Sequence, residues 1–381
     1  MTSTGVVLTG GGARAAYQVG VLRAIADMYP AWEYPFQVIV GTSAGAINAM
    51  AVAGSQGRFR HSIDHLEALW SDLTMDQVFR SDPFSMMRNV TGIARHMLSR
   101  PSEGGPVSFL DNRPLRKLLE REIDFPRIKA TLEAGHIDAV GLNACGYGTG
   151  RNLCFFQGRD DITSWSQGQR AGTRTELTVD HVLASSAIPT LFPPVRIHRE
   201  YFGDGVTRQM AHISPALRLG ARRVLVIGVS ANQSTPPKRH RQDTVPSMSQ
   251  ILGQVFNGMF LDTLEYDIER TQVINQLLAL IPPERLAEAN LDLHPVDILE
   301  ISPSEPIDEL AAPHLGALPS VLRTLTGDHE ASAHGTGNGS GNLASYLLFE
   351  PAFCRKLIEL GYRDGQNQAK QVKAFFADPP S

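Results

Sequence analysis

Near the start of the chain, short uninterrupted apolar runs are each followed by glycines and then by apolar residues at helical spacing. "GVVLTG" (5–10) has the pattern of a buried strand ending in glycine. "GGARAAYQVGVLRAIADMY" follows, with Ala16, Val19, Leu22, Ile25 and Ala26 on one helical face. "FQVIVGTSAGAINAMAVAG" repeats the plan: a strand over 36–40, a corner at 41–45, then a helix. Two such units in the first 55 residues predict a parallel sheet with helical crossovers.

Later patterns extend the sheet. "HIDAVGLNACGY" (136–147) and "RNLCFFQG" (151–158) predict a pair of strands, and "PPVRIHREYFGDG" (193–205) a hairpin ending in a tight turn. "RRVLVIGVS" (222–230) predicts a buried strand preceded by the helix-like "SPALRLGA". Leu252, Val255, Phe256, Met259, Phe260, Leu264 and Ile268 form an amphipathic stripe, and the tail over 342–376 is again helical. Polar or Gly/Ser-rich stretches at 99–108, 231–250 and 327–341 read as loops. The expected organisation is a unit over 1–230, a polar loop over 231–250, and a mainly helical region over 251–381 packed on the first unit.

Composition narrows the class. The chain has 381 residues, 42% hydrophobic and 19% charged, enough apolar content for a sizeable core. Its net charge of −4, with no basic block longer than "PKRHR", argues against nucleic acid as a partner. Cys145, Cys154 and Cys354 show no metal or redox spacing and read as reduced thiols. No apolar run reaches the roughly 18 residues of a spanning helix. The expectation is a cytoplasmic protein of unknown oligomeric state.

Ser43 carries the candidate chemistry. Gly41-Thr42-Ser43-Ala44-Gly45 is G-x-S-x-G between a strand and a helix pattern, as a nucleophile elbow requires. The same residues also fit a serine N-cap flanked by packing glycines. Gly10, Gly11 and Gly12 offer bare N–H groups between a strand and a helix, suited to an oxyanion. Gly10-x-Gly12-x-x-Ala15 also fits a dinucleotide fingerprint, but no acidic residue closes the second strand, where Ser43 stands instead. For a base, the histidines are poorly placed. His240, His329 and His334 fall in polar stretches, His61 and His65 on a helix, His198 in the hairpin, and His294 and His314 beside prolines. His212 is the best histidine candidate. Asp204, in "YFGDGV", sits in an exposed-type turn.

Together these segments resemble the patatin-like phospholipase family. "GGGARA" (10–15), "GTSAG" (41–45), "ASSAIPTLFPP" (184–194) and "DGV" (204–206) stand in the family's order over residues 5–230. Ala15 stands where the family usually has glycine, and Val206 where it has glycine or alanine. The resemblance implies an α/β fold with a mixed, mostly parallel, three-layer sheet and a helical C-terminal extension. It implies Ser43 as nucleophile, Asp204 as proton acceptor, and Gly10, Gly11 and Gly12 as the oxyanion loop. Arg14, Gly41, Gly45 and Gly205 would support them. The implied substrate is a phospholipid or other acyl ester, with no cofactor and with peripheral membrane contact allowed. Two other functions stay open: a non-catalytic lipid- or partner-binding protein, motivated by Val206, and a dinucleotide-dependent oxidoreductase.

Overall fold

The structure is a computed structural model and describes residues 3–55, 57–80, 108–209, 211–230, 262–289, 293–320, 322–323 and 341–377. The first apolar run forms β1 (Thr4–Leu8), followed by a 3-10 turn over Gly12–Ala15 and helix α1 (Ala16–Met28). The second unit is β2 (Val38–Thr42) and α2 (Ala44–Ala53). Helices α3 (Phe59–Ser71) and α4 (Arg113–Glu122) follow. The expected strand pair is β3 (Ala139–Gly146) and β4 (Asn152–Gly158), antiparallel with Leu142 opposite Phe155. Short strands β5 (Trp165–Gln167) and β6 (Arg170–Arg174) come next, then helix α5 (Val179–Ser185). The expected hairpin is β7 (Val195–Ile197) and β8 (Glu200–Asp204), and the later buried run is β9 (Arg223–Ile227).

These strands and a later one, β10 (Asp297–Ile301), join one sheet in the order β10-β9-β1-β2-β3-β4-β6-β5, with β8 pairing β3 and β7 pairing β8. Strands β10 to β3 in that path run parallel; β4, β5 and β8 bring the antiparallel pairs. The mixed, mostly parallel sheet flanked by helices is the fold class expected from the sequence. Because β1 leads to β2 on one side and lies against β9 on the other, the strand order reverses at β1. Open α/β sheets place their sites in the crevice beyond the strand C-termini at such a point.

Apolar clusters cover both faces. One holds α1, α2, α3 and the C-terminal helices with Trp70, Phe79, Tyr346 and Phe353 buried. The other holds Val38, Val40, Phe156, Ile213, Ala216 and Ile268. Helix α6 (Asp262–Leu278) lies on this second face and carries Leu264 and Ile268 of the expected stripe inward. The stripe's earlier members, including Phe256, Met259 and Phe260, lie outside the described residues. The expected loops at 99–108, 231–250 and 327–341 lie almost wholly outside them.

The region after residue 262 is not helical throughout. β10 (Asp297–Ile301) adds a parallel edge strand next to β9, with Ile301 opposite Ile227. Its mixed polar and apolar pattern, "DILEI", gave no strand signal of the uninterrupted kind. Helix α7 (Pro351–Asn367) packs tightly on α1. The close approach needs glycine: a Cβ at Gly361 would lie 2.1 Å from Tyr17 O, and one at Gly20 2.0 Å from Ile358 O. Gly361→Ala should therefore force the two helices apart and lower stability by about 1–3 kcal/mol, as overpacking does. Urea denaturation monitored by circular dichroism checks this; an unchanged midpoint would contradict the packing.

The three cysteines are buried and unpaired. Burial pushes the thiols of Cys154 and Cys354 up to about 12, which leaves them inert as nucleophiles.

Candidate active site

Ser43 is the residue between β2 and α2, and its backbone adopts φ 56° and ψ −128°. A non-glycine residue at positive φ is strained by about 1–3 kcal/mol and persists only where its surroundings enforce it. The surroundings here are tight. A Cβ at Gly41 would lie 2.4 Å from Gly45 O, and one at Gly45 would lie 2.3 Å from Leu8 O. Both glycines are fixed by the close entry of α2 between β1 and β2, which turns Ser43 outward at the sheet's C-terminal edge. Of the two readings of this serine, the N-cap is not formed: its side chain makes no cap hydrogen bond.

Its hydroxyl instead donates to Asp204 Oδ2 at 2.5 Å. The register of the sheet makes this contact. Thr42 of β2 lies opposite Asn143 of β3, and Ala144, one residue on, lies opposite Asp204 of β8. Asp204 Oδ1 accepts from Val206 N at 2.9 Å. Asp204 is fully buried, and this burial raises its carboxyl to about 7 although the bonds from Ser43 and Val206 pull it down. The His212 ring is buried, which lowers it to about 4.

The glycine loop faces the same serine. A Cβ at Gly10 would lie 3.0 Å from Ser43 Cβ and 2.4 Å from Val206 Cγ2. Val206 thus fills the space between the Asp204 turn and the loop. Gly12 has φ 54°, and a Cβ there would lie 2.1 Å from Tyr346 O, so glycine is required on both counts. Among the described residues, no hydrogen-bond acceptor is assigned to the N–H of Gly10, Gly11 or Gly12. Gly205 packs against the β3 backbone, 2.3 Å from Asn143 O for a Cβ placed on it.

Arg14 points away from the serine and into the C-terminal region. Its Nε donates to Ser345 Oγ at 2.9 Å, its terminal nitrogen pairs with Asp308 Oδ1 at 2.5 Å, and its guanidinium lies 4.1 Å from the Tyr346 ring centroid. The arginine ties the glycine loop to a segment more than 290 residues away.

Several supporting residues were not singled out from the sequence. Ser185 Oγ accepts from Ser43 N at 2.9 Å and donates to Asn143 O at 2.7 Å. Asn143 Nδ2 donates to Thr42 Oγ1 at 3.0 Å. Beneath the loop, Trp70 Nε1 donates to Asn48 Oδ1, Asn48 Nδ2 to Gln18 Oε1, and Gln18 Nε2 to Thr9 O, all within 2.8–2.9 Å. The available signal was a polar residue inside an apolar helix: Asn48 within "AGAINAMAVA".

Ser43 opens on an apolar channel. Its walls are Ile47 and Ala51 of α2, Leu66, Leu69 and Trp70 of α3, Leu115, Leu118 and Leu119 of α4, and Tyr346, Leu347 and Phe349 from the C-terminal region. His65 and Glu122 also line it, with His65 Nε2 3.1 Å from Glu122 Oε2.

The strand-to-helix serine corner, the glycine loop and the buried carboxylate stand on a mixed, mostly parallel sheet flanked by helices, an α/β architecture. The chain belongs to the patatin-like phospholipase family, whose profile matches residues 6–217. Membership supports lipid acyl hydrolase activity in general. No curated protein sequence matches the chain. Among solved structures, it is similar to VipD from Legionella pneumophila at 17% identity and TM-score 0.34, covering 60% of this chain and 50% of that one. Human GIVD cytosolic phospholipase A2 gives 12% identity and TM-score 0.46, covering 98% and 60%. ExoU of Pseudomonas aeruginosa, in its complex with SpcU, gives 14% and 0.30, covering 98% and 76%. The chain thus spans half to three-fifths of the length of the first two. Among the described residues, no helix is long and apolar enough to cross a membrane.

Proposed function

We propose that the protein is a serine acyl hydrolase of phospholipid or related acyl esters, working through a Ser43–Asp204 dyad and an acyl-enzyme. The observation that carries this reading is the 2.5 Å hydrogen bond from Ser43 to a buried Asp204 at the mouth of an apolar channel. A free carboxylate, with its ordinary value of 3.8, is a poor base for a hydroxyl; at about 7, Asp204 is far better matched to neutral pH.

In the acylation step Ser43 Oγ attacks the ester carbonyl carbon while its proton passes to Asp204. The charge that develops on the carbonyl oxygen is held by the N–H groups of Gly11 and Gly12, with Gly10 shaping the loop. One such donor was worth about 2.7–4 kcal/mol in a studied protease. The tetrahedral species collapses, the C–O bond to the leaving alcohol breaks, and Asp204 returns the proton to that oxygen. Water then gives a proton to Asp204, attacks the acyl-enzyme, and releases the fatty acid as Ser43 regains its proton.

In this reading residues 1–230 form the catalytic unit, and the later region closes the channel with Tyr346, Leu347 and Phe349. The burial and isolation of the three thiols support a reducing, cytoplasmic setting. The channel sets acyl length, so Leu118→Trp should cut kcat/KM for long-chain phosphatidylcholine about tenfold while sparing short-chain esters. A lipid panel graded by acyl length, run on the wild type and this variant, tests the function. No hydrolysis of any acyl ester by the wild type would overturn it, and an unchanged length profile in the variant would remove the channel from substrate binding.

A further inference from the structure

A second cavity lies on the other face of the sheet, behind the Asp204 turn. Arg170, Arg208 and Arg270 line it with Gln209, Trp165 and Tyr266. Gln209 is 2% exposed, and among the described residues neither its Oε1 nor its Nε2 has a hydrogen-bond partner. A buried amide left unsatisfied on both atoms costs on the order of 1–3 kcal/mol per group and calls for a ligand that can both accept and donate. The guanidiniums are only partly matched by protein groups. Arg170 donates to Ser214 Oγ at 3.2 Å, and Asp267, on the inner side, accepts from Ile213 N at 2.9 Å. Arg208 is exposed and forms no ion pair with the described residues.

Helix α6 supplies the cavity's rim and something more. Its inner face carries Leu264, Asp267, Ile268, Thr271 and Leu278, all buried or half-buried against the sheet. Asn275 fixes it further by exchanging two hydrogen bonds with the Val296 backbone at 2.7 and 3.0 Å. The outer face repeats every three to four residues: Tyr266, Arg270, Val273 with Ile274, Leu277, and then Leu280 with Ile281 just past the helix end. Leu277 is 55% exposed and Leu280 80%. Such a row of aliphatics, led by a tyrosine and an arginine, suits a helix lying in the interface of a lipid surface. Tyr266 and Arg270 belong both to this row and to the cavity wall, so the two features open to the same side.

We infer that this face docks on an anionic lipid surface, with the outer row of α6 in the acyl boundary and a phosphomonoester headgroup in the Arg170–Arg208–Arg270 cavity. The phosphoryl oxygens accept from the guanidiniums and from Gln209 Nε2, and the phosphoryl hydroxyl donates to Gln209 Oε1. The cavity is joined to the Asp204 turn by chain and by hydrogen bonds: Thr207 Oγ1 donates to Asp204 O at 2.7 Å, and Asn152 Nδ2 to Gly205 O at 3.2 Å. Docking therefore holds the turn that carries Asp204.

Vesicle sedimentation tests this, using Ser43→Ala protein so that no lipid is hydrolysed and the outcome does not depend on the dyad. The probes are phosphatidylcholine vesicles alone, with phosphatidic acid, and with phosphatidylserine. Binding is expected with phosphatidic acid, weaker with phosphatidylserine, and absent with phosphatidylcholine. Arg208→Ala and Gln209→Leu should each weaken it about tenfold, the loss of one charge-assisted or buried hydrogen bond. Leu277→Glu should remove it. Arg208 and Leu277 are exposed, so those variants decide the matter even if Gln209→Leu fails to fold. Three results would overturn the inference: no sedimentation with any vesicle, equal affinity for both anionic lipids unmoved by Arg208→Ala, or a concentration-dependent dimer abolished by Leu277→Glu without vesicle binding, which would give the face to a second copy of the chain.

Discussion

Ser43→Ala is expected to lose roughly ten-thousand-fold or more in ester turnover and all labelling by a fluorophosphonate probe, while the fold survives. The hydroxyl is the atom that bonds Asp204 at 2.5 Å. Two consequences separate this outcome from simple misfolding. Ser43 is held at φ 56°, a region that alanine tolerates no better than serine and glycine tolerates freely. Ser43→Gly should therefore be more stable than Ser43→Ala by about 1 kcal/mol, yet equally inactive. Alanine also removes one of the two bonds that favour the charged form of Asp204, so its carboxyl should move further up. Thermal melts of the three proteins and intact-mass detection of the probe adduct give the readout. Undiminished labelling of Ser43→Ala would end the assignment.

Asp204→Asn should cut turnover by about a thousandfold, within the range for losing a general base. The substitution keeps the shape of the side chain but has no proton affinity at neutral pH. In the wild type, the base form accumulates as pH rises through about 7, so kcat/KM should climb to a plateau on the alkaline side. Stability should run the opposite way. The folded-state value is raised from 3.8, so this group's contribution is fully present below 3.8 and is lost as pH rises through about 7. The span corresponds to about 4 kcal/mol at most. Asp204→Asn removes that loss, so its melting temperature should match the wild type near pH 4 and exceed it at pH 8. Parallel stability curves from pH 4 to 8 would show that Asp204 is not titrating in the fold. Turnover retained by the variant would take Asp204 out of the chemistry.

Much of the site was legible because its signals are local. The glycines around Ser43 and in the 10–12 loop mark places where backbone must pass backbone, as Gly45 against Leu8 O and Gly12 against Tyr346 O show. Of the histidines, His65 lies beside Glu122 on the wall of the apolar channel, and His314 pairs with Glu350. What escaped was everything held by partners distant in sequence. Asn143 supports the elbow from β3 and sits in no motif; Ser185 lies in the "ASSAIPTLFPP" segment, but nothing local shows that it bonds the Ser43 backbone. Arg14 was legible as a loop residue, but its partners Asp308 and Ser345 were not. The edge strand β10 was missed because only strands buried on both faces carry an uninterrupted apolar run, and Asp297 and Glu300 break this one.

The sequence by itself determined the strand–glycine–helix units, the strained corner that holds Ser43, and the turn that holds Asp204. Each is decided by steric and hydrogen-bonding rules acting over a few residues. Only the tertiary structure decided that these two turns meet. Their contact, across 161 residues, depends on β3 pairing in register with β2 and, further along the same edge, with β8, while β4 takes the other edge. Register is a property of paired strands, since a slip of one residue would turn Asp204 to the opposite face of the sheet. The same holds for the C-terminal wall of the channel and for the arginine cavity behind Asp204, whose residues come together only when the sheet and its helices are assembled.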